Sequence, residues 1–545
     1  MTAATLNTTT NHRSAVLDDA HVGDIKGALG TIRLDGDPSA KGLSAKLKTL
    51  LAIVGPGLIV MVGDNDAGAF STYGQAGQDY GTHLLWTLLL LVPVLYVNQE
   101  MVLRLGVVTG VGHARLIMER FGRFWGAFSV IDLFILNALT IVTEFIGITM
   151  ATGYLGLPKV PSVAVAALVI MAAAGTGSFQ RFERIALALC FGSLLLIPVY
   201  LMAHPSASAM AHGFTVPNLP GGSGQTATVM LLIIGIVGTT VAPWQLFFQQ
   251  SYVIDKRITP RFMKYEKADL WLGIVIVIVG AAAVMGIATA AAHGTGQFTD
   301  TAGLAHSLEA YGGKALGALF AVALLDASII GAFAVSLSTA YAIGDCFKIN
   351  HSLHRGVKQA KGFYAVYAGV IGLAATIVLI PGAPLGLLTM GVQTLAGVLL
   401  PSASVFLLLL CTDKEVLGPW VNGRKTTLFT SGVIAVLVAM SLILTASVLY
   451  PNITATQIGY ILEGCAALVV GAAVYVGVQA ARNRQSVAAA VDRSDREDWR
   501  MPPLEELGKV EFSTARRLGM SALRLYLFIA MVMVIIKLVS LALGH

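Results

Sequence analysis

The chain has 545 residues, of which 56% are hydrophobic and only 12% charged. That charge fraction is about half of what a soluble domain carries. Together with a mean hydropathy of +0.75 and a formal net charge of only +6, it argues against a soluble enzyme or a nucleic-acid-binding protein and for a polytopic helical membrane protein.

Residues 1–46 are polar and lack the apolar core of a signal peptide, so they are expected to form a mobile cytoplasmic tail. Apolar runs able to span a bilayer follow near 48–78, 82–106, 126–153, 159–175, 184–204, 227–251, 267–293, 313–345, 362–381, 386–411, 426–450 and 455–479. Positive charge gathers in alternate connections: Arg104, Arg115, Arg120 and Arg123, then Arg181 and Arg184, then Lys256, Arg257, Arg261 and Lys264. Lys348, Arg355, Lys358, Lys361, Arg424 and Lys425 continue the series, while loops such as 205–225 are nearly free of it. The amino terminus, with Lys41, Lys46 and Lys48, is therefore expected on the cytoplasmic side of the cell membrane. The layout read from the runs is a transporter core over 47–411 and two added spans over 412–480. A polar cytoplasmic segment over 481–518 and a final apolar run within 519–545 complete it, the latter expected as a span in preference to an interfacial amphipathic helix because 525–543 is so uniformly apolar. Cys190, Cys346, Cys411 and Cys465 are scattered without CxxC spacing, which argues against disulfides and thiolate metal sites.

The first run is interrupted by polarity. Within Gly55–Gly81 the sequence sets Asp64, Asn65 and Asp66 in the middle of an apolar stretch, followed by Gly68. Carboxylates at membrane depth are costly unless they pair or face a wet cavity, and unwound backbone is tolerated there only where it lines a protected site. The stretch reads as a cation site in a broken helix. The sixth run carries an echo, Gly235, Gly238, Thr239, Thr240, Val241, Ala242, Pro243, Trp244 and Gln245, in which Pro243 removes a backbone donor and breaks the helix near Ala242. Interrupted helices at corresponding depths of two halves point to a transporter built of inverted repeats, here about 47–204 and 227–411. The plainer alternative is a pair of unrelated kinks, which leaves the acidic residues without a purpose.

Further residues carry a resemblance. Gly55-Pro56-Gly57 stands eleven positions before Asp66, and Gln75-Ala76-Gly77, Leu84-Leu85-Trp86, Arg104-Leu105-Gly106 and Thr109-Gly110 follow. Glu144-Phe145-Ile146-Gly147 lies in the third run; Gln393, Pro401, Asp413, Lys414, Val421, Asn422 and Arg424 lie in and after the tenth. Together these resemble the NRAMP family of divalent-metal transporters over nearly all of the first eleven runs. The resemblance implies an all-α LeuT-like five-plus-five inverted repeat with broken first and sixth helices, plus two or three extra C-terminal helices. The departures fall on the chemistry. Where the family has Asp-Pro-Gly-Asn, this chain has Asp66-Ala67-Gly68-Ala69, and where it has Met-Pro-His, this chain has Ala242-Pro243-Trp244. The family's third-helix Asp is Ile141, and Asp64 is an added carboxylate. The pattern is most similar to the NRAMP-related magnesium transporters.

Thioether sulfur selects softer transition metals, whereas carboxylates, carbonyls and water suit Mg²⁺, Ca²⁺ and Mn²⁺. Mg²⁺ keeps several of its waters and takes one or two carboxylates, which a wider all-oxygen site would accommodate. Asp66 and then Asp64 are the expected direct ligands, with backbone oxygens at Gly63, Asn65, Val241 and Ala242 completing the set. Thr239, Gln245 and Gln393 would hold coordinated waters, with Trp244 in the same outer layer. Residues two apart do not share a helix face, so Asp64 and Asp66 can serve one ion only on unwound backbone or through water. None of the eleven histidines lies in the middle of a run, and with Ile141 and Trp244 at the family's proton-handling positions the path looks dismantled. The expectation is alternating-access uptake of Mg²⁺, and also Mn²⁺, without proton coupling. Glu144 would remain as a gating residue or the remnant of a proton path. No resident cofactor is expected, and no partner other than the transported ion and the bilayer; the unit is expected to be a monomer. The alternatives are a proton-coupled Mn²⁺/Fe²⁺ symporter and a LeuT-like carrier of an organic cation. The sequence shows no nucleophile–base pair, phosphate loop or HExxH motif that would make it an enzyme.

Overall fold

The computed structural model describes residues 15–33, 42–220, 226–292, 296–382, 385–450, 453–482 and 496–508, with isolated positions at 521, 525, 528, 529 and 532. Most of the polar segment 481–518 and nearly all of the final apolar run 519–543 lie outside the described residues.

A short hairpin, β1 (Ile25–Gly27) with β2 (Gly30–Ile32), precedes a chain that is otherwise helical. The first apolar run becomes three helices, α1 (Leu43–Ile53), α2 (Pro56–Gly63) and α3 (Ala67–Tyr80). The next runs give α4 (Trp86–Thr109), the connector α5 (His113–Phe121), α6 (Arg123–Tyr154) and α7 (Lys159–Ala174). α8 (Phe179–Gly192) continues into α9 (Leu196–Ala203), and a second connector, α10 (Ala207–Thr215), leads to the sixth run. That run splits into α11 (Thr226–Thr240) and α12 (Pro243–Asp255). Then come α13 (Met263–Ala291), the connector α14 (Thr301–Gly312), α15 (Lys314–Phe347), α16 (Lys361–Val378) and α17 (Leu385–Cys411). One turn, α18 (Lys414–Leu417), precedes α19 (Arg424–Leu449) and α20 (Ala455–Arg482). Every apolar run of the first twelve thus carries helix, and α5, α10 and α14 are helices in stretches that read only as loops. Among the described residues, nine helical segments are long and apolar enough to cross a membrane, or ten if α1 and α2, bent by 49°, count as one.

The packing has the reciprocity that inverted repeats require. α2 packs on α12, and α3 on α11; α13 packs on α2 and α3, while its counterpart α4 packs on α11 and α12. α6 likewise lies along its counterpart α15. At the α2–α13 contact, glycines bring backbone against backbone. A Cβ at Gly57 would lie 2.7 Å from the Leu270 nitrogen, and one at Gly273 would lie 2.6 Å from the Gly57 carbonyl oxygen. Small residues permit this kind of close approach between membrane helices.

The positively charged connections gather in one layer at one end of the bundle. Arg104 donates to the Trp420 carbonyl at 2.6 Å and to Asn422 Oδ1 at 2.5 Å, which brings two of the family-like stretches together. Arg120 pairs with Asp413 at 2.6 Å and donates to the Gly508 carbonyl at 2.6 Å. Residues 15–33 belong to this layer and correct the expectation of a mobile tail. Asp18 pairs with Arg355 at 2.6 Å, the Ala28 amide donates to Glu183 Oε2 at 2.5 Å, and Arg184 and Gln180 donate to the Ala28 and Gly27 carbonyls at 3.0 Å each. Local composition reads this segment as solvated because its partners lie 153 to 337 positions away in the chain.

Candidate functional site

The break in the first span is the three-residue gap Asp64–Asn65–Asp66. Asp66 takes extended backbone and caps α3: its Oδ1 accepts from the Ala69 amide at 2.9 Å and its carbonyl from Phe70 at 2.9 Å. In the sixth span the gap is Val241–Ala242. Ala242 is extended, and Pro243 opens α12 where its missing N–H costs nothing.

Side chains from several helices surround the two gaps. Gln245 of α12 donates its amide to Asp64 Oδ1, and Gln99 of α4 donates to Gln245 Oε1 at 2.7 Å. The Tyr73 hydroxyl and Thr240 Oγ1 lie 2.6 Å apart and tie α3 to the end of α11. Glu144 of α6 accepts from the Ala67 amide at 3.1 Å, and its carboxyl group lies beside the Asp66 side chain over Gly331. Two carboxyl groups that close share a proton or admit a cation between them. Gly68 leaves the room that the Gln393 side chain of α17 occupies, since a Cβ there would lie 1.7 Å from Gln393 Nε2 and 3.2 Å from Asp66 Oδ1.

The whole cluster is buried, with Asp64 at 1% and Asp66 at 3% exposure. Even so, Asp64 Oδ2, Glu144 Oε1, Thr239 Oγ1 and Gln393 Nε2 have no hydrogen-bond partner among the described residues. Each such group costs about 1–3 kcal/mol in a closed interior, so a cluster of them at a double helix break is a place prepared for a polar guest. No three His, Cys, Asp or Glu side chains converge at metal-holding distance among the described residues. Side-chain oxygens, amides and the carbonyls of the unwound backbone make up the donor set.

The structure brings Asp64, Asp66, Gln245, Gln393 and Glu144 together, and it separates others from them. Asn65 turns away: its Nδ2 donates to the Val277 carbonyl of α13 at 3.2 Å, and its side chain lines an apolar groove beside Tyr200 and Met210. Only its backbone can face the gap. Trp244 packs its ring against Gly63, 3.8 Å from where a Cβ would stand, and its carbonyl accepts from Ser338 at 2.9 Å. Its ring thus stands directly behind the first gap. Gly63, Val241 and Ala242 offer carbonyls alone, and Thr239 stands in the last turn of α11 before the gap. Sequence reasoning missed Gln99 and Tyr73. Gln99 was detectable as part of Asn98-Gln99-Glu100 inside an apolar run, a polar cluster of the kind that marks intramembrane function.

A second set of buried charges holds the bend between α1 and α2. Lys256 Nζ donates to the Ile53 and Val54 carbonyls at 2.6 and 3.0 Å and pairs with Glu183 at 2.8 Å. Asp269 Oδ2 accepts from the Gly55 and Gly57 amides at 3.2 and 2.7 Å. A cation thus caps the carbonyl end of α1 and an anion the amide end of α2, each matching the helix dipole. Gly55 has φ +156°, and a Cβ there would lie 2.3 Å from Glu183 Oε1, so glycine is needed on both counts.

An all-α membrane bundle whose two broken spans meet at a buried, oxygen-lined centre defines a LeuT-fold transporter. Residues 57–447 match the Nramp family, described as natural resistance-associated macrophage protein-like, and the chain belongs to that family. Among its relatives, the divalent metal cation transporter MntH of Ralstonia nicotianae is 30% identical over 400 residues, 70% of this chain and 87% of the relative. The MntH of Pectobacterium carotovorum is 27% identical over 415 residues, 73% of this chain and 94% of the relative. In fold, the chain is similar to the manganese transporter of Eremococcus coleocola, with a TM-score of 0.62 at 19% identity, covering 81% of this chain and 97% of that one.

Proposed function

We propose that this chain carries hydrated divalent cations, Mg²⁺ first and Mn²⁺ second, into the cytoplasm by alternating access and without a coupled proton. The observation that carries the reading is the pair Asp64 and Asp66 at one gap, facing a second gap where Ala242 presents only its backbone. Without sulfur or imidazole in the wall, the donors are hard, and hard donors suit Mg²⁺ and Mn²⁺. Relatives named divalent metal cation transporters and a fold neighbour named a manganese transporter support the substrate class. The basic layer with residues 15–33 is assigned to the cytoplasmic side by its Arg and Lys content. An inside-negative potential of 100 mV then favours entry of a dication by about 4.6 kcal/mol, twice the value for one charge. A monomer contains the whole site.

Uptake of Mg²⁺ and of Mn²⁺ into proteoliposomes, with internal pH recorded, tests the reading. Metal entry at constant internal pH is expected; acidification in step with metal entry would overturn the uncoupled mechanism. One observation favours a second reading, proton-coupled Mn²⁺ symport: the placement of Glu144 beside Asp66 could lodge a proton that the metal displaces. Under that reading Glu144→Gln abolishes acidification. Ala242→Met tests the selectivity argument separately. Competition by Mn²⁺ and Cd²⁺ against Mg²⁺ should strengthen, and an unchanged profile would remove thioether loss as the explanation.

A further inference from the structure

A cavity whose wall is mostly apolar but carries a group of basic side chains lies in the basic layer, away from the helix breaks. It has a volume of about 250 Å³ and is walled by four separate pieces of chain: residues 15–23, the end of α4 at Gly106–Gly110, the connection 254–259, and Arg500 with Met501. Three of its lining side chains are His21, Arg257 and Arg500, Thr259 adds a hydroxyl, and among the described residues no Asp or Glu lines it.

Each basic group is held in place but left with capacity to bind. Arg257 donates Nε to the Ala20 carbonyl at 2.8 Å and Nη1 to the Asp24 carbonyl at 3.2 Å, and its Nη2 has no protein acceptor among the described residues. Arg500 spends Nη1 on the Glu497 and Trp499 carbonyls at 3.1 and 2.9 Å, and its Nε and Nη2 have no acceptor among the described residues. Neither guanidinium forms an ion pair among the described residues. Nearby Asp498 pairs with Arg261. His21 is 7% exposed, and neither ring nitrogen has a hydrogen-bond partner among the described residues. The Asp255 carboxylate, 3.6 Å from His21 Nε2, is already taken up by Ser352, Tyr341 and the Leu353 amide.

A half-buried cation without a counter-ion is unfavourable, and two of them around one cavity favour a polyanion. Guanidinium forks match phosphate oxygens in geometry. The volume exceeds that of several waters, each about 30 Å³, and falls just below the range of drug-sized pockets. We infer that this cavity binds a phosphate-bearing anion, either a soluble phosphate monoester or the headgroup of an anionic phospholipid, through Arg257, Arg500, His21 and Thr259. The occupant would fasten the amino-terminal segment and the 496–508 segment to the connection between α12 and α13. The inference does not depend on which ion the breaks carry.

The test uses the purified full-length protein, with hydrogen exchange of residues 15–23 and 496–508 and the thermal midpoint as readouts. Inorganic phosphate is titrated in detergent against chloride at matched ionic strength. In parallel, nanodiscs of phosphatidylcholine alone are compared with nanodiscs containing phosphatidic acid. Protection by phosphate is expected, with the half-saturating concentration raised about tenfold or more in Arg500→Gln and again in Arg257→Gln, as befits loss of a charged hydrogen bond. Protection by phosphatidic acid but not by inorganic phosphate assigns the lipid source; protection by both assigns the soluble one. Because Arg257 also anchors residues 20–24, Arg500→Gln is the decisive variant. The inference is overturned if neither arm protects, if chloride protects as well as phosphate, or if Arg500→Gln responds like the parent.

Discussion

The first span is interrupted twice, and the two interruptions are built in opposite ways. At the bend between α1 and α2, Lys256 and Asp269 satisfy the exposed carbonyls and amides, and Glu183 neutralises the lysine. At the break between α2 and α3, Asp66 caps the helix, but Asp64 Oδ2, Glu144 Oε1 and Gln393 Nε2 are left without partners among the described residues. Both places are buried and both carry charge, so burial and charge alone do not identify a binding site. What separates them is the counter-ion: Lys256 supplies one at the bend, where Asp269 Oδ1 is also left over, whereas among the described residues no Lys or Arg pairs with Asp64, Asp66 or Glu144. A neutralised cluster is a structural joint, whereas carboxyl groups without a protein cation are prepared for one from outside.

Lys256→Met is the sharpest way to break this contrast. It strands Glu183 in a closed interior, and losing one member of a buried pair costs about 3–5 kcal/mol. The thermal midpoint should fall steeply, and pairing the change with Glu183→Gln should recover part of it. Asp66→Ala is expected to do the reverse: a midpoint near the parent's, with metal uptake lowered by about 100-fold or more, at or beyond what even an outer partner of a metal site contributes. If Asp66→Ala instead unfolds the protein while uptake survives Lys256→Met, the two regions have been assigned the wrong way round. Gln99→Leu comes next. It releases Gln245 from its support behind Asp64, and uptake should fall by about tenfold through the apparent KM.

The smallest effect concerns the joint's outer flank and depends on pH. Burial works against a proton on His351, but the Asp345 carboxylate at 3.1 Å outweighs it and pushes the group up to about 9. Burial likewise opposes ionisation of Asp18, yet the Arg355 guanidinium and the Ala20 and His351 amides bring it down to about 2. A raised histidine stabilises fully below its ordinary value of 6.5 and loses that contribution as pH rises through about 9. A lowered aspartate contributes above 3.8 and loses its contribution as pH falls through about 2. Residues 15–33 should therefore be held most firmly between about pH 4 and 6.5. Their hydrogen exchange, corrected for intrinsic rate, should rise less than tenfold per pH unit from there to pH 9.

Much of this architecture can be read from the amino-acid order. Twelve apolar runs mark helices because a bilayer span needs an unbroken stretch of apolar side chains. Asp64-Asn65-Asp66 and Ala242-Pro243 mark the gaps because charge and proline oppose helix continuation at that depth. The direction in which Asn65 turns was not legible, since rotation about an unwound residue depends on α13, more than 200 positions away. Nor was the bend at Gly55, whose cap residues Lys256 and Asp269 lie at the ends of other runs, where charges read as ordinary span boundaries. The hairpin at 25–32 was hidden for the same reason: Ala28 finds Glu183 only once the bundle has formed.

The glycine contact between α2 and α13 has a mechanical consequence. Where Gly57 and Gly273 meet, the Met61 side chain of α2 lies over Gly273, and Asp269 of α13 holds the Gly55 and Gly57 amides. Past the other end of α2, Asn65 donates to the Val277 carbonyl of the same helix. α2 is thus pinned to α13 at both of its ends, and the two are expected to travel as one body when the transporter switches faces.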